Sequence, residues 1–420
     1  MIMSIEKEFT NSLKFRPMST EELANILGLT IKKDEANKLI TFLCLLSAYT
    51  EDSQFNISFN APSSTGKSYI PIEVAKLFPP EDVKELGYSS PTAFFHEQGE
   101  YNKETNTNIV DLSRKIIIFL DQPNPALLER LRSLLSHDKK EMQSKITDKK
   151  EKGGNKTKTI ILKGFPSVIF CSAGLMIDEQ EGTRFLLLSP DTDQEKIRRA
   201  IHEKIQKEAM GSAYFSDLED NPERKLLKER ILAVKEEKID KITISNPELI
   251  EAKFTEDKKH LKPRHQRDIG TLISFVKGFA LLNLWWRKKD GNTLIANADD
   301  IENGFKLWQK ISESQDLNLP PYIYGFYKDI VTPLLEEKDN TDRKEILNRH
   351  NTVYGGNLPE YTLRTRILPM LESCGLIVQG NDPEDKRRLL IFKAGEPNQE
   401  SDIEDLEEDW DKDVFPTFDE

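Results

Sequence analysis

Eight consecutive residues have the types and the spacing of a phosphate-binding loop. They are Ala61, Pro62, Ser63, Ser64, Thr65, Gly66, Lys67 and Ser68, with alanine in place of the usual first glycine. Gly66 lets backbone amides curl around phosphate oxygens, Lys67 supplies a positive charge to the β- and γ-phosphates, and the Ser68 hydroxyl is a ligand for Mg²⁺. Alanine is acceptable at position 61 if the backbone there needs no positive φ. The loop therefore predicts a site for ATP and Mg²⁺.

An acidic residue at the end of a buried strand would complete such a site. In residues 115–121, KIIIFLD, five consecutive apolar residues stand between Lys115 and Asp121, which predicts a strand buried on both faces. Asp121 is then placed to hold Mg²⁺, directly or through water. The next residue is Gln122, where ATPases commonly carry glutamate, and glutamine can orient water but is a poor base. Glu97 and Glu129 are candidate substitutes, so the sequence leaves fast hydrolysis open.

These residues are distributed over the pattern of an α/β domain. The strand FNISFN precedes the loop, the helix YIPIEVAKLF follows it, and further strands are predicted at 115–121, 166–173 and 184–190. Buried strands separated by longer connections indicate a mostly parallel sheet covered by helices. We expect five regions along the chain. They are an N-terminal helical region (1–49), a P-loop core (50–191), a second helical region (192–320), a small helical domain ending in two strands (321–393) and an acidic, disordered tail (394–420).

Composition narrows the class of protein. The chain has 420 residues, 31% of them charged, and no apolar run near the roughly 20 residues needed to span a bilayer. Its N-terminal residues lack the order of a secretory signal, and its three isolated cysteines indicate neither disulfides nor zinc, so we expect a cytoplasmic protein with no membrane partner. The net charge of −12 includes −11 from residues 396–420, which leaves −1 for the remainder. Basic runs in that nearly neutral body can still face nucleic acid.

Four stretches in this order, the loop, IIIFLD, VIFCSA and TRFLLLSP, resemble the AAA+ ATPases. The closest resemblance is to the minichromosome-maintenance-like helicases, including those of plasmids and mobile elements, and it covers residues 50–315 with a weaker continuation to 393. It implies an AAA+ core with a helical lid, assembled as a homo-hexamer with ATP between subunits. It makes Ser172 the polar residue that contacts the γ-phosphate or its water, where most members have asparagine. It makes Arg184 an arginine finger that reaches the ATP of a neighbouring subunit.

The stretch RHQRDIGTLISFVKGFALL resembles the lid helix of the same helicases, and NADDIENGFKLW resembles the helix after it. This match puts Arg267 at the second sensor position. The resemblance leaves open whether Arg267 acts on the ATP of its own subunit or of a neighbour. An ordinary surface arginine is the alternative for Arg267, and pairing with Glu181 or Asp191 is the alternative for Arg184.

The stretch KITDKKEKGGNKTKTIILKGFP predicts a β-hairpin, because two β-prone arms flank a Gly-Gly-Asn turn. Its lysines surround the turn. In the resembled family this hairpin points into the central pore and grips DNA, which makes Lys149, Lys150, Lys152 and Lys156 candidate DNA contacts. A hairpin that is merely solvated is the alternative.

Residues 321–393 have the helix and strand order of a winged helix-turn-helix domain. The third helix would leave Arg364 and Arg366 exposed, and Arg387 in the wing would contact phosphates. Packing against the ATPase, or binding another protein, is the alternative. The acidic tail, which carries Trp410, is a candidate docking segment for a replication partner.

These features together predict an ATP-dependent, ring-forming DNA helicase or replication-initiator ATPase that moves on single-stranded or forked DNA. One alternative is an AAA+ transcriptional activator or remodeller. The other is a nucleotide-gated DNA-binding scaffold with little hydrolysis, which the glutamine at position 122 would favour.

Overall fold

The computed structural model describes residues 10–97, 99–148, 156–173, 185–256, 258, 260–382 and 388–394, without the side chains of 146–148, 156 and 157. It divides into two compact units, Met1–Phe326 and Tyr327–Glu420. The strands of the first unit are β1 (Ile57–Asn60), β2 (Val83–Leu86), β3 (Glu100–Asn102), β4 (Thr107–Asp111), β5 (Ile116–Phe119), β6 (Glu141–Asp148), β7 (Lys156–Lys163), β8 (Ser167–Ser172), β9 (Leu186–Leu188), β10 (Lys241–Ile244), β11 (Lys288–Asp290) and β12 (Thr293–Ala296). Its α-helices are α1 (Thr20–Leu27), α2 (Glu35–Ser47), α3 (Tyr69–Ala75), α4 (Pro125–Leu135), α5 (Gln194–Met210), α6 (Ser212–Asp220), α7 (Pro222–Glu236), α8 (Pro247–Thr255), α9 (His265–Leu282), α10 (Ala298–Gln309), α11 (Ser312–Asp316) and α12 (Pro321–Phe326).

The central sheet of the first unit is parallel throughout, with the strand order β2–β5–β8–β1–β9. Strands β1, β5, β8 and β9 are buried along their whole length, as their apolar sequences require of a sheet covered on both faces. The predicted α/β class with a mostly parallel sheet is confirmed. Because parallel strands end at the same edge, the residues that follow β1, β5 and β8 meet at the carboxyl edge of this sheet.

Helix α2 lies in the main hydrophobic core. All of its residues from 37 to 47 are buried, and the helix packs against α3 and α9. The same core contains residues of α1, β1 and α9. The helices of the N-terminal region therefore share one core with the central sheet.

A second sheet has the order β3–β4–β7–β6. Strands β6 and β7 are antiparallel, from the pair Glu141–Lys163 to the pair Asp148–Lys156, so the predicted hairpin is confirmed. Strand β7 also pairs in parallel with β4, and its Ile160 and Leu162 are buried in a second hydrophobic core. The base of the hairpin is thus anchored, while its turn, residues 149–155, lies outside the described residues.

Gly164 links the hairpin to strand β8 in a conformation that requires glycine. Its φ is 87°, and a Cβ atom there would lie 2.1 Å from Ser113 Oγ and 2.5 Å from Ser113 N. The Gly164 N–H donates to the Lys140 carbonyl at 2.8 Å. The link between the two sheets is therefore fixed by close backbone contact.

Helices dominate the region 192–320, as expected from the sequence, but the region is not helical throughout. It contains a three-stranded sheet in the order β10–β12–β11, with a turn at Gly291, whose φ is 58°. These strands have only three or four residues each, too few to give a clear alternating pattern. Of the helices that the model describes, none combines the length and the apolar character that crossing a membrane demands.

The second unit alternates short helices and strands. Its elements are a π-helical turn (Tyr327–Val331), α13 (Thr332–Glu337), β13 (Asn340–Asp342), α14 (Arg343–Tyr354), α15 (Glu360–Thr362), a second π-helical turn (Leu363–Ile367), α16 (Leu368–Ser373), β14 (Ile377–Asn381) and β15 (Leu389–Lys393). The sequence predicts two strands here, and the sheet has three, in the antiparallel order β13–β15–β14. Strand β13 escaped prediction because it is three polar residues long. Leu363, Ile367 and Leu371 are buried, on the side away from the exposed Arg364 and Arg366.

Candidate functional site

The loop 61–68 connects β1 to α3 at the carboxyl edge of the central sheet. Ala61 is buried, and its N–H donates to the Ser172 carbonyl at 3.2 Å. Ser64 and Gly66 have positive φ values of 67° and 91°. Since a Cβ on Gly66 would meet no atom within 4 Å, its φ rather than space favours glycine. Ala61 is not among the residues with positive φ, so the condition under which alanine can replace glycine there is met.

Four of the predicted site residues come together at this edge. Ser172 is fully buried at the end of β8, and its Oγ donates to Gln122 Oε1 at 2.9 Å. The Gln122 N–H donates to Asp121 Oδ1 at 2.8 Å. The neighbouring Cys171 Sγ donates to the Lys67 carbonyl at 3.4 Å. The loop, the end of β8 and the residues after β5 are therefore connected by short hydrogen bonds.

The charges of Lys67 and Asp121 both act on the Cys171 thiol. Burial raises the pKa of Cys171 to about 12, with the Lys67 ammonium lowering it and the Asp121 carboxylate raising it further. The thiol is therefore neutral at physiological pH and does not act as a nucleophile. The ammonium and the carboxylate are therefore each near enough to act on the end of β8.

The hydrogen bond between Ser172 and Gln122 determines what Gln122 can do. The amide oxygen accepts from the serine hydroxyl, which leaves the amide NH₂ as the group for a phosphate oxygen or a water molecule. An amide can donate to such a water but cannot take its proton. Of the two candidate substitutes, Glu97 is paired with Lys84, and Glu129 is exposed on α4. Among the described residues, Gln122 thus offers a donor to this site, and neither Glu97 nor Glu129 is an evident base.

A cavity of about 850 Å³ adjoins the loop. Its lining combines Ser64–Gly66 of the loop with apolar side chains that include Ile31, Tyr69, Ile197 and Ile201. The volume lies within the range of about 300–1,000 Å³ that is usual for small-molecule sites. Sequence reasoning missed this wall because Ile31, before α2, and Ile197 and Ile201, of α5, lie far from the loop in sequence. The cavity thus brings apolar and charged side chains together beside the loop.

Arg267 lies at the opposite edge of the sheet from the loop. It is exposed in the first turn of α9 and lines a polar cleft of about 400 Å³. The same cleft is lined by Asn56, which precedes β1, and by Phe185 and Leu186, at the start of β9. Parallel strands begin at this amino edge, so β1 separates Arg267 from the loop. Arg184 lies outside the described residues, next in sequence to Phe185.

Other predicted contacts are only partly described. Lys149, Lys150, Lys152 and Arg387 lie outside the described residues, and Lys156 belongs to β7 without a described side chain. Arg364 and Arg366 are exposed on the π-helical turn Leu363–Ile367, as the sequence predicts. Arg388, beside the predicted wing contact, instead pairs with Asp342 and Asp382.

His265, Asp268 and Asp316 form a cluster beside Arg267. One ligand atom from each lies within 4.8 Å of the others, yet His265 Nδ1 accepts from the Lys262 N–H at 3.1 Å. A neutral ring with this bond carries its proton on Nε2, the nitrogen that faces Asp316 at 3.8 Å. Arg264 Nε lies 3.3 Å from Asp268 Oδ1. The cluster is therefore arranged for hydrogen bonding and ion pairing and not for a cation.

Asp268 should make stability depend on pH. Burial raises its pKa from 3.8 to about 6, so folding favours its protonated form. Between these values the unfolded chain has lost the proton and the folded chain has not, so stability falls as pH rises. In Asp268→Asn this loss, on the order of 2 kcal/mol between pH 4 and 7, should disappear. Urea unfolding across this pH range measures it, with the exposed Asp217→Asn as control, and an unchanged pH dependence in Asp268→Asn would contradict the assignment.

No known protein family model matches the sequence, and none of the curated proteins is similar enough to count as a match.

Proposed function

We propose that this chain is an AAA+ ATPase that binds Mg-ATP at the loop 61–68. The observation that carries the proposal is the strand order β5–β8–β1. It sets the polar end of β8, Ser172, between the loop after β1 and Asp121 after β5. A γ-phosphate held by the loop would then meet Ser172 on one side and a Mg²⁺ held by Ser68 and Asp121 on the other. The bond from Ser172 to Gln122 adds the residue that would orient water.

The cavity beside the loop supports a nucleoside triphosphate over inorganic phosphate. Phosphates bound by the loop amides and Lys67 would leave the base directed to the apolar wall formed by Ile31, Ile197 and Ile201. The base would bury its apolar surface against this wall, while the charged phosphates stay at the loop. ATP is the nucleotide that the resemblance implies.

The opposite edge supports assembly into a ring. Arg267 and Phe185, which follows Arg184 in sequence, lie at the amino edge, whereas the loop lies at the carboxyl edge, about 13 Å away along a four-residue strand. In one subunit Arg267 therefore faces away from its own loop. Both arginines would serve a neighbour's ATP if successive subunits packed amino edge against carboxyl edge, which repeats around a closed ring.

The hairpin and the second unit support DNA as the partner. The anchored hairpin β6–β7 carries lysines at its turn, and the second unit has the element order of a winged helix with Arg364 and Arg366 exposed. These features favour phosphate contacts that are sensitive to salt. We therefore propose a helicase or replication initiator acting on single-stranded or forked DNA. A nucleotide-gated DNA scaffold is the second candidate, because Gln122 is bound to Ser172 and is no base.

Mixing two inactive variants tests this function. Lys67→Ala lacks the loop charge, and Arg267→Ala lacks the proposed neighbour contact. In mixed rings the intact loop of one subunit meets the intact Arg267 of the next. We expect the mixture, with single-stranded DNA present, to recover about a quarter of the wild-type ATPase activity, since random mixing makes that fraction of interfaces complete. Activity that stays absent would contradict the shared site, and Arg267→Ala with full activity alone would contradict the role of Arg267.

A further inference from the structure

Helix α5 covers the cavity beside the loop, yet little of its surface is buried. Of its 17 residues only Glu203 is buried, and Ile197, Ile201 and Ile205 are 42%, 55% and 58% exposed. Helices of globular proteins are usually held by a buried apolar face. Polar contacts must therefore contribute much of what holds α5 over the cavity.

Three consecutive residues before α2 are each paired with α5. The pairs, which we call the clasp, are Lys32 with Glu203 at 3.2 Å, Lys33 with Glu195 at 2.5 Å, and Asp34 with Lys196. They lie along one side of α5, at positions that the 3.6-residue repeat brings to the same face or next to it. The turn that holds the clasp also lines the cavity.

The clasp has a buried end and an exposed end. Asp34 is buried, accepts from the Asp191 N–H at 2.7 Å and from Asn37 Nδ2 at 2.8 Å, and is thereby fixed to the core. The side chains of Lys33 and Glu195 are 31% and 52% exposed. Lys33 and Asp34 both have positive φ, 59° and 54°, an uncommon backbone conformation for these residues. The outer pair can therefore break and reform while the inner pair stays anchored.

A further contact ties the other end of α5 to the loop. Lys207 Nζ donates to Tyr69 Oη at 2.8 Å, and Tyr69 Oη donates to the Thr30 carbonyl at 2.9 Å. Tyr69 directly follows Ser68 of the loop. Helix α5 ends at Met210 and is capped by Gly211, whose φ is 55°. The helix thus bridges the loop and the turn before α2, the two sides of the cavity.

We propose that the clasp controls nucleotide exchange: α5 closes over the bound base when its pairs form and releases it when they break. The identity of the ligand rests on the function proposed above. A base in the cavity would contact Ile197 and Ile201 and so provide apolar contact that α5 lacks. Nucleotide binds more tightly when the clasp is closed, and by the same free energy the bound nucleotide favours the closed clasp.

Charge reversal at the exposed pair tests the clasp. Lys33→Glu and Glu195→Lys each set like charges against one another, and the double variant restores opposite charges. The two measurements are the dissociation rate of a fluorescent ATP analogue and the hydrogen exchange of α5 amides without nucleotide. Each single variant should raise both rates about two- to fivefold, and the double variant should return them towards wild type.

A matched control breaks an exposed ion pair elsewhere. Lys306→Glu removes the pair with Glu302 on α10, at 2.7 Å, and should leave both rates unchanged. Equal hydrogen-exchange rates of the α5 amides in wild type, both single variants and the double variant would overturn the clasp. Exchange and dissociation rates in the double variant that are no slower than those of the single variants would overturn it too. A wild-type protein that binds no nucleotide would overturn the proposed function instead, and the exchange measurement would still decide whether the pairs hold α5.

Discussion

Replacing Lys67 by alanine should abolish ATP turnover, both with and without single-stranded DNA. Lys67 carries the only cationic side chain of the loop 61–68, and the β- and γ-phosphates bear the negative charge that it would neutralise. Charge-assisted hydrogen bonds contribute about 1.5–3 kcal/mol, so ATP binding should weaken about 10- to 150-fold. The measurements are steady-state ATPase rate and ATP affinity by titration, for wild type and variant.

The matched control for this substitution lies at the end of α3, the short helix that follows the loop. Lys76 caps α3 and pairs with Glu73, outside the loop. Lys76→Ala makes the same chemical change and should leave ATP affinity within about twofold, because Lys76 pairs with the buried Glu73 and not with the loop. A Lys67→Ala protein with wild-type turnover would exclude the loop as the phosphate site. Tight ATP binding by the wild type without turnover, even with DNA, would favour the scaffold.

Replacing Gln122 by glutamate should accelerate hydrolysis. One carboxylate oxygen can still accept from Ser172 Oγ, as the glutamine oxygen does at 2.9 Å, and the other becomes available to take a proton from water. A positioned general base contributes about 10²- to 10⁴-fold. We expect a smaller gain, at or below the lower end of this range and about 10- to 100-fold, since the wild-type amide already orients the water in the proposed mechanism. Single-turnover hydrolysis at saturating ATP isolates this step from binding.

Two further variants show whether the gain depends on the bond to Ser172. Gln122→Ala removes both orientation and base, and it should be slower than wild type. Ser172→Ala in the glutamate background should lose part of the gain, because the carboxylate is no longer held. If Gln122→Glu hydrolyses ATP no faster than wild type, the missing glutamate is not what limits turnover, and a base must come from elsewhere.

The central strands could be predicted from the sequence because strands buried on both faces consist of continuous apolar runs. IIIF in β5 and VIFC in β8 can only be buried on both faces. Strand β2 was missed, since its four residues, VKEL, alternate with charged side chains at the partly exposed edge of the sheet. The strands β10 to β13 were missed because three or four residues are too few to show a pattern. The sequence pattern thus predicts strands that the core buries, and it fails for strands that are defined only by pairing with distant parts of the chain.

The site could be predicted only in part, for a related reason. The loop and Asp121 follow apolar strands, and the ends of parallel strands share one edge, so their meeting follows from local patterns. The position of Arg267 at the other edge depends on how α9 packs against α2, which spacing along the chain does not reveal. The clasp was also hidden, since Lys33 and its partner Glu195 lie 162 positions apart in the sequence.

The link at Gly164 has a mechanical consequence for the molecule. Strand β7, the arm of the hairpin, and strand β8, which ends at Ser172, form one run of chain with three residues between them. Because Gly164 is held against Ser113 and Lys140, this joint has little freedom to bend. A shift of Ser172 on loss of a γ-phosphate would therefore be transmitted to the hairpin as displacement and not absorbed at the turn. Under the proposed function, the ATP site at Ser172 and the DNA-binding hairpin would therefore move together as one rigid segment.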